Sequence, residues 1–215
     1  GRWYGGIATA DCVGCGLACR FCWVSDEVAN KPWKVGEFKS PREVAEALSS
    51  IARSRGYRLA RVSGGEPTIG KAHLLGLLEE MSGEGLLFIL ETNGILIASD
   101  RSYAEELSKY RFLHVRVSLK GCSESEFSAL TGARPEGFSM QLEALRRLVD
   151  AGVSCHASVM ASFSSEDSLS ALIERLREID EGLAKELEIE ELILYPHVAR
   201  KLRRYGLKPI RYCLA

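Results

Sequence analysis

The chain has 215 residues, 46% of them hydrophobic, with 28 Lys and Arg against 29 Asp and Glu and a formal charge of −1. A chain of this size buries one substantial core, and its near-neutral balance gives no electrostatic reason to expect nucleic acid or a membrane surface as partner. The longest apolar run, Leu86–Leu90, is far too short to cross a bilayer. We therefore expect a single domain over residues 1–215, soluble and cytoplasmic. Asn30, Asn93 and Gln141 are the only side-chain amides, a thermophile-like bias.

The chain opens at Gly1 without a methionine, which points to a missing upstream segment or a tag remnant. Trp3–Ala8 reads as the first strand. Cys12, Cys15, Cys19 and Cys22 follow within eleven residues and no apolar signal segment precedes them, which favours metal binding in a reducing compartment over disulfides. The connection Val24–Lys39, with Pro32 and Gly36, is long enough to be a functional loop. Its Lys34 and Trp33, with Trp23 just before it, serve either as a contact surface or as packing for the cysteine loop.

Ser40-Pro41-Arg42-Glu43 is a capping box with proline at the first helical position, so a helix starts at Pro41. A strand over Arg58–Val62 runs into Ser63-Gly64-Gly65-Glu66-Pro67, and a helix over Lys71–Met81 follows. The strand Leu86–Glu91 leads to Glu91-Thr92-Asn93-Gly94 and a helix over Arg101–Tyr110. Next come the strand Leu113–Ser118 with Lys120 beyond its end, a helix from Glu124 capped by Ser123, and a helix over Ser139–Ala151 stopped by Gly152. The strand Ser154–Ala161 carries His156, a helix covers Ser168–Glu178, and the strand Glu188–Tyr195 precedes Pro196 and His197. Arg200–Arg204 reads as a basic, solvated helix face.

This strand-then-helix rhythm implies an α/β fold, a parallel sheet of six strands forming a partial (β/α)6 TIM-like barrel. In parallel barrels the active site lies at the C-terminal strand ends. The cysteine loop, Gly64–Glu66, Glu91–Gly94, Ser118–Lys120 and Tyr195–His197 all fall at such ends.

Cys15, Cys19 and Cys22 are spaced C-x3-C-x2-C. Three thiolates in so tight a loop suit three irons of a 4Fe-4S cube and leave the fourth iron open to a small ligand. With Cys12 included, four thiolates are also available to a structural zinc ion. Cys122, Cys155 and Cys213 are too scattered for a second cluster. Gly64 and Gly65 permit close backbone approach, and Glu66 or a neighbouring carbonyl can accept hydrogen bonds from an ammonium group.

The cysteine motif together with Gly64-Gly65-Glu66, and Phe21 before the third cysteine, resembles the radical SAM superfamily. Glu91-Thr92-Asn93-Gly94 resembles a stretch of the activating enzymes of glycyl radical enzymes within that superfamily. Ser118-Leu119-Lys120 matches their Asp-Leu-Lys in part, with serine in place of the acid. The resemblance implies a 4Fe-4S cluster held by Cys15, Cys19 and Cys22, S-adenosylmethionine positioned by Gly64, Gly65 and Glu66, and reductive generation of a 5′-deoxyadenosyl radical. It adds Thr92, Lys120, His156 and His197 as further contacts to S-adenosylmethionine. It also implies a low-potential electron donor of flavodoxin or ferredoxin type. The substrate is either a partner protein, as in glycyl radical activation, or a small cofactor precursor. A non-catalytic iron–sulfur or zinc protein is the reading from another class.

Overall fold

The computed structural model describes residues 6–215. Six parallel strands lie side by side in chain order: β1 (Ala8–Cys12), β2 (Leu59–Gly64), β3 (Leu87–Thr92), β4 (Leu113–Leu119), β5 (Ser154–Met160) and β6 (Glu188–Glu190). Between them run α1 (Asp26–Asn30), α2 (Pro32–Val35), α3 (Pro41–Arg55), α4 (Lys71–Met81), α5 (Ile95–Ser99), α6 (Arg101–Leu107), α7 (Glu124–Thr131), α8 (Glu136–Asp150), α9 (Glu166–Arg177) and α10 (Glu181–Lys185). After β6 come β7 (Leu192–Leu194), α11 (Pro196–Arg204) and β8 (Tyr212–Leu214), with β7 and β8 paired in a separate two-stranded sheet.

The partial barrel expected from the sequence is present, and the two faces of its sheet differ sharply. On the outer face Ala60, Val62, Phe88, Leu90, Val115, Val117, Ala157 and Val159 pack with Leu48, Leu77, Leu78, Leu145, Leu148 and Leu172 of the helices into the main core. Each of the fully buried Val, Leu and Phe side chains contributes about 1.5–3 kcal/mol. The intervening positions face inward and are mostly polar: Arg61 and Ser63 on β2, Glu91 on β3, His114, Arg116 and Ser118 on β4, His156 and Ser158 on β5, Glu188 and Glu190 on β6. Period-two alternation thus separates an apolar shell from a charged lumen.

Several boundaries differ from the sequence reading. The first strand is Ala8–Cys12 rather than Trp3–Ala8, because the parallel ladder sets Ala8 against Ala60 and Cys12 against Gly64; Trp3 and Tyr4 lie outside the described residues. Cys12 therefore ends a strand instead of opening a loop. The single strand expected over Glu188–Tyr195 divides after Glu190. Ala161 donates its backbone N–H to the Glu190 carbonyl, while the Leu192 N–H turns to the Ser162 hydroxyl, which releases β7 to pair with β8. The Val24–Lys39 connection contains α1 and α2, started by the Ser25 cap and by Pro32. Asp100 caps α6, whereas α8 begins earlier than expected, directly after Pro135. Among the described residues no helix is long and apolar enough to cross a membrane.

Candidate functional site

At the C-terminal ends of the strands lies a cavity of about 470 Å³ lined by Cys15, Cys19 and Cys22, by Ser63–Glu66 and by Glu91–Asn93. Arg116, Ser118, Lys120, Met160 and Glu190–Ile193 complete its sheet side.

The cysteine loop is held by its backbone. Gly14 and Cys15 donate N–H groups to the carbonyls of Val28 and Ala29 in α1, and Arg20 donates to the Leu130 carbonyl in α7. The Arg20 guanidinium bonds the Ala129 carbonyl at 2.7 Å and stacks over the Tyr205 ring. Phe21 packs into a second apolar core with Leu130, Met160, Leu192, Val198 and Leu202, 6.0 Å from the Phe163 ring, and part of it also lines the cavity. Alternating thiols and anchors thus present three sulfurs to one space.

Gly64 and Gly65 allow a close approach, but to the chain's own backbone. A Cβ on Gly65 would stand 2.2 Å from the Gly14 carbonyl oxygen, and one on Gly64 2.8 Å from that of Cys12, at a φ of +88°. The gap is closed by the bonds from Gly65 N–H to Cys12 O and from Glu66 N–H to Gly14 O, both 2.8 Å. These glycines clamp the cysteine loop to β2.

The Glu66 side chain is 5% exposed and engaged on both oxygens. Oε1 accepts from the Thr68 N–H and hydroxyl and from the Thr92 hydroxyl, and Oε2 from the Asn93 N–H at 2.7 Å. It is a strut between β2 and β3, and an ammonium ligand is left to nearby carbonyls. Thr92 lines the cavity and also braces Glu66 and the Gly94 N–H. Gln141, fully buried, ties Asn93 and Ser118 carbonyls with its NH₂ group and accepts the Lys120 N–H. Lys120 lies in the cavity with its ammonium on the Ser118 hydroxyl at 2.6 Å.

Two of the expected contacts stand elsewhere. His156 does not line the cavity. Its position near the start of β5 sets it deeper in the lumen, where one ring nitrogen meets His114 at 2.7 Å and the other Glu188 at 3.2 Å. The neighbouring inward residue Arg116 does reach the cavity, and it bonds Glu188 at 2.7 Å and Glu190 at 2.6 Å. Burial opposes the Arg116 charge, but Glu188 and Glu190 outweigh it and push its pKa up. The bonds from His156 and then Arg116 hold the Glu188 carboxyl at about 2. His197 is exposed, bonds the Trp23 carbonyl at 2.8 Å and stacks on Tyr195; it lines a neighbouring cavity. Arg116 and Glu190 were missed in the sequence, although the alternation of His114, Arg116 and Ser118 with Val115 and Val117 marks an inward polar face.

Cys12 packs at the edge of the main core and does not line the cavity. Among the described residues no three His, Cys, Asp or Glu side chains gather closely enough to ligate one metal ion. A cube instead needs three thiolates on three separate corners of a larger object, and three sulfurs around a cavity fit that demand. Burial pushes the Cys19 thiol up to about 12 and raises Cys15, with Lys120 opposing both shifts. Such thiols are deprotonated on coordination to iron.

Comparison with known proteins finds relatives in sequence and in fold. A probable GTP 3′,8-cyclase of Sulfurisphaera tokodaii is 25% identical over 140 residues, 65% of this chain and 41% of that protein. A 7-carboxy-7-deazaguanine synthase of Hyperthermus butylicus is 37% identical over 103 residues, 48% of this chain and 39% of the relative. The chain thus spans less than half the length of these relatives. Streptococcus suis SuiB bound to S-adenosylmethionine superposes with a TM-score of 0.71 at 19% identity, covering 93% of this chain and 45% of SuiB. The same protein bound to its precursor peptide SuiA gives 0.67 at 17% identity, covering 97% and 48%. The radical SAM superfamily profile matches residues 11–176. Its members use a 4Fe-4S cluster and S-adenosylmethionine, and the three thiols that line the cavity fit a cluster in donor chemistry. The match takes in β2 to β5 whole and both the cysteine and glycine motifs, and by it this chain belongs to the radical SAM superfamily.

Proposed function

We propose that Cys15, Cys19 and Cys22 hold the cluster, that the Gly64–Glu66 turn with Thr92 and Lys120 frames S-adenosylmethionine, and that the chain acts on a small organic precursor at the cavity mouth. The convergence of the three thiols and the glycine turn on one cavity carries this reading. What the bound pair supplies is hydrogen-atom abstraction, through one-electron cleavage of S-adenosylmethionine to methionine and a 5′-deoxyadenosyl radical. The electron comes from a low-potential donor of flavodoxin or ferredoxin type.

The chain's own residues orient and exclude. The clamp between Gly65 and the Cys12–Gly14 backbone fixes the thiols relative to the turn that receives the methionyl end. Lys120 offers a cation to a carboxylate. Phe21, Met160 and Leu192 close the second core beneath the loop and keep water from the cluster side. Of the two relatives named above, one is named for cyclising GTP and the other for making a carboxy-deazaguanine, which favours a small precursor. Activation of a glycyl radical enzyme is the second reading, favoured by the Glu91–Gly94 stretch. Against it, Ser118 stands where those activators carry an acid, and Glu91 is engaged by Arg61 and Ser63.

Anaerobic reconstitution followed by reduction tests the core of the proposal, with iron, sulfide and 5′-deoxyadenosine measured. Replacing Cys15, Cys19 or Cys22 with alanine abolishes 5′-deoxyadenosine formation, whereas Cys12→Ala retains most of it. A Cys12 variant that loses the cluster while one of the other three keeps it overturns the ligand assignment. A brown or zinc-loaded protein that never cleaves S-adenosylmethionine is a non-catalytic binder.

A further inference from the structure

Beside the main cavity lies a second one of about 400 Å³, lined by Trp23, Ser25, Asp26, His197, Arg200, Lys201 and Arg204. The two share Trp23, Asp26 and Lys201, so they adjoin. The second is built from α11. Val198 and Leu202 bury one side of that helix in the second core, and His197, Arg200, Lys201 and Arg204, spaced i, i+3, i+4 and i+7, form a neighbouring stripe along it. The basic run is the solvated face that the sequence suggests, with Arg200, Arg203 and Arg204 exposed, and Arg200, Lys201 and Arg204 also form a wall of this open cavity.

Its charges are unbalanced. Lys201 is paired with Asp26 at 2.5 Å, but no carboxylate lies within ion-pair distance of Arg200 or Arg204 among the described residues, and Arg204 has only the Tyr205 ring at 5.8 Å. The main cavity has the opposite balance: Glu66, Glu91, Glu190, Glu191 and Asp26 against Arg116, Lys120 and Lys201. An acidic interior behind a basic doorway admits an anionic molecule in one orientation, with its charge outside and its neutral end inward. Two guanidinium forks one helical turn apart match phosphate oxygens, and the Trp23 indole, 59% exposed, offers a flat apolar face beside them.

We infer that this second cavity is a phosphate-anchoring site for the substrate, which is a phosphorylated small molecule with a planar ring, of nucleotide type. This rests on the reading of the main cavity as the radical site. The anchor holds the phosphate on Arg200 and Arg204 and leaves the remainder of the molecule to enter past Trp23.

Calorimetric titration with pyrophosphate, a purine nucleoside 5′-triphosphate and the parent nucleoside tests the inference on the whole chain, before and after reconstitution. The triphosphate binds at least about tenfold more tightly than the nucleoside, pyrophosphate competes with it, and added salt weakens both. The double variant Arg200→Ala/Arg204→Ala loses about tenfold or more, Arg200→Lys/Arg204→Lys recovers part, and Arg203→Ala, off the stripe, binds as the parent does. Equal binding of nucleoside and triphosphate, an unaffected double variant, or an equal loss in Arg203→Ala overturns the inference. So does preference for an acidic peptide over the nucleotide. Because the titration does not need the cluster, its failure is separate from failure to cleave S-adenosylmethionine, which tests the radical reading alone.

Discussion

Replacing Gly65 with alanine tests whether the glycine turn serves the cysteine loop or the ligand. The new Cβ would sit 2.2 Å from the Gly14 carbonyl oxygen and 3.1 Å from that of Cys12, both backbone atoms that no side-chain rotation can clear. Either the β1 end moves away or the turn does, and the bonds from Gly65 to Cys12 and from Glu66 to Gly14 are lost. Two backbone hydrogen bonds at about 1 kcal/mol each, with about 1–3 kcal/mol for the forced overlap, give roughly 3–5 kcal/mol. For a domain of this length that corresponds to a fall in Tm of roughly 6–20 °C. The displaced segment carries Gly14 and leads directly to Cys15, so iron loading falls along with S-adenosylmethionine affinity. The assay is a thermal melt of the unreconstituted protein beside iron and sulfide content after reconstitution. Gly16→Ala in the same loop is the control, since its Cβ meets nothing within 4 Å and both quantities stay at the parent level. A Gly65→Ala protein with parental Tm and full iron, weakened only toward S-adenosylmethionine, would refute the clamp and return the glycines to a ligand-facing role.

Glu66→Gln puts an NH₂ group where one carboxylate oxygen accepts, facing either the Asn93 N–H or the Thr68 and Thr92 donors. A cost of about 2–4 kcal/mol is expected, read as a lowered midpoint in denaturant, together with weaker S-adenosylmethionine binding. Glu188 is held at about 2 in the folded protein, below its unfolded value of about 4.3. Its contribution is therefore complete above about pH 4.5 and lost as pH falls through about 2, and screening of a side chain 41% exposed brings it to about 1 kcal/mol. Melts of the parent and Glu188→Gln proteins should differ at pH 6 and converge toward pH 2; a constant gap would assign the loss to packing instead.

The strand-and-helix order was legible because each outer strand face alternates apolar residues at period two and most long helices carry a local stop or start signal, as Ser40-Pro41 and Gly152 do. The thiol positions were legible from spacing alone. Strand ends were less so, since β1 is fixed by its register against Ala60–Gly64 rather than by its own composition, and β7 is separated from β6 by a single hydroxyl, that of Ser162. The site residues separated along the same line. Gly64 and Gly65 read in sequence as positions where the backbone comes close to a ligand, whereas what comes close in the structure is the carbonyls of Cys12 and Gly14, a fact of tertiary structure. His156 was expected at S-adenosylmethionine and does not line the cavity, because depth along a strand depends on sheet stagger. The chain's rare amides gave a clue that composition alone could not interpret: Asn93 and Gln141 both stitch the loops around the cavity.

The two separate cores have a consequence for how stability responds to iron. The sheet and its covering helices pack in the first, while Phe21 of the cysteine loop shares the second with Val198 and Leu202 of α11. The main core draws on the cysteine loop only through Leu17, so a thermal melt of the barrel is expected to change little on loading or removal of iron.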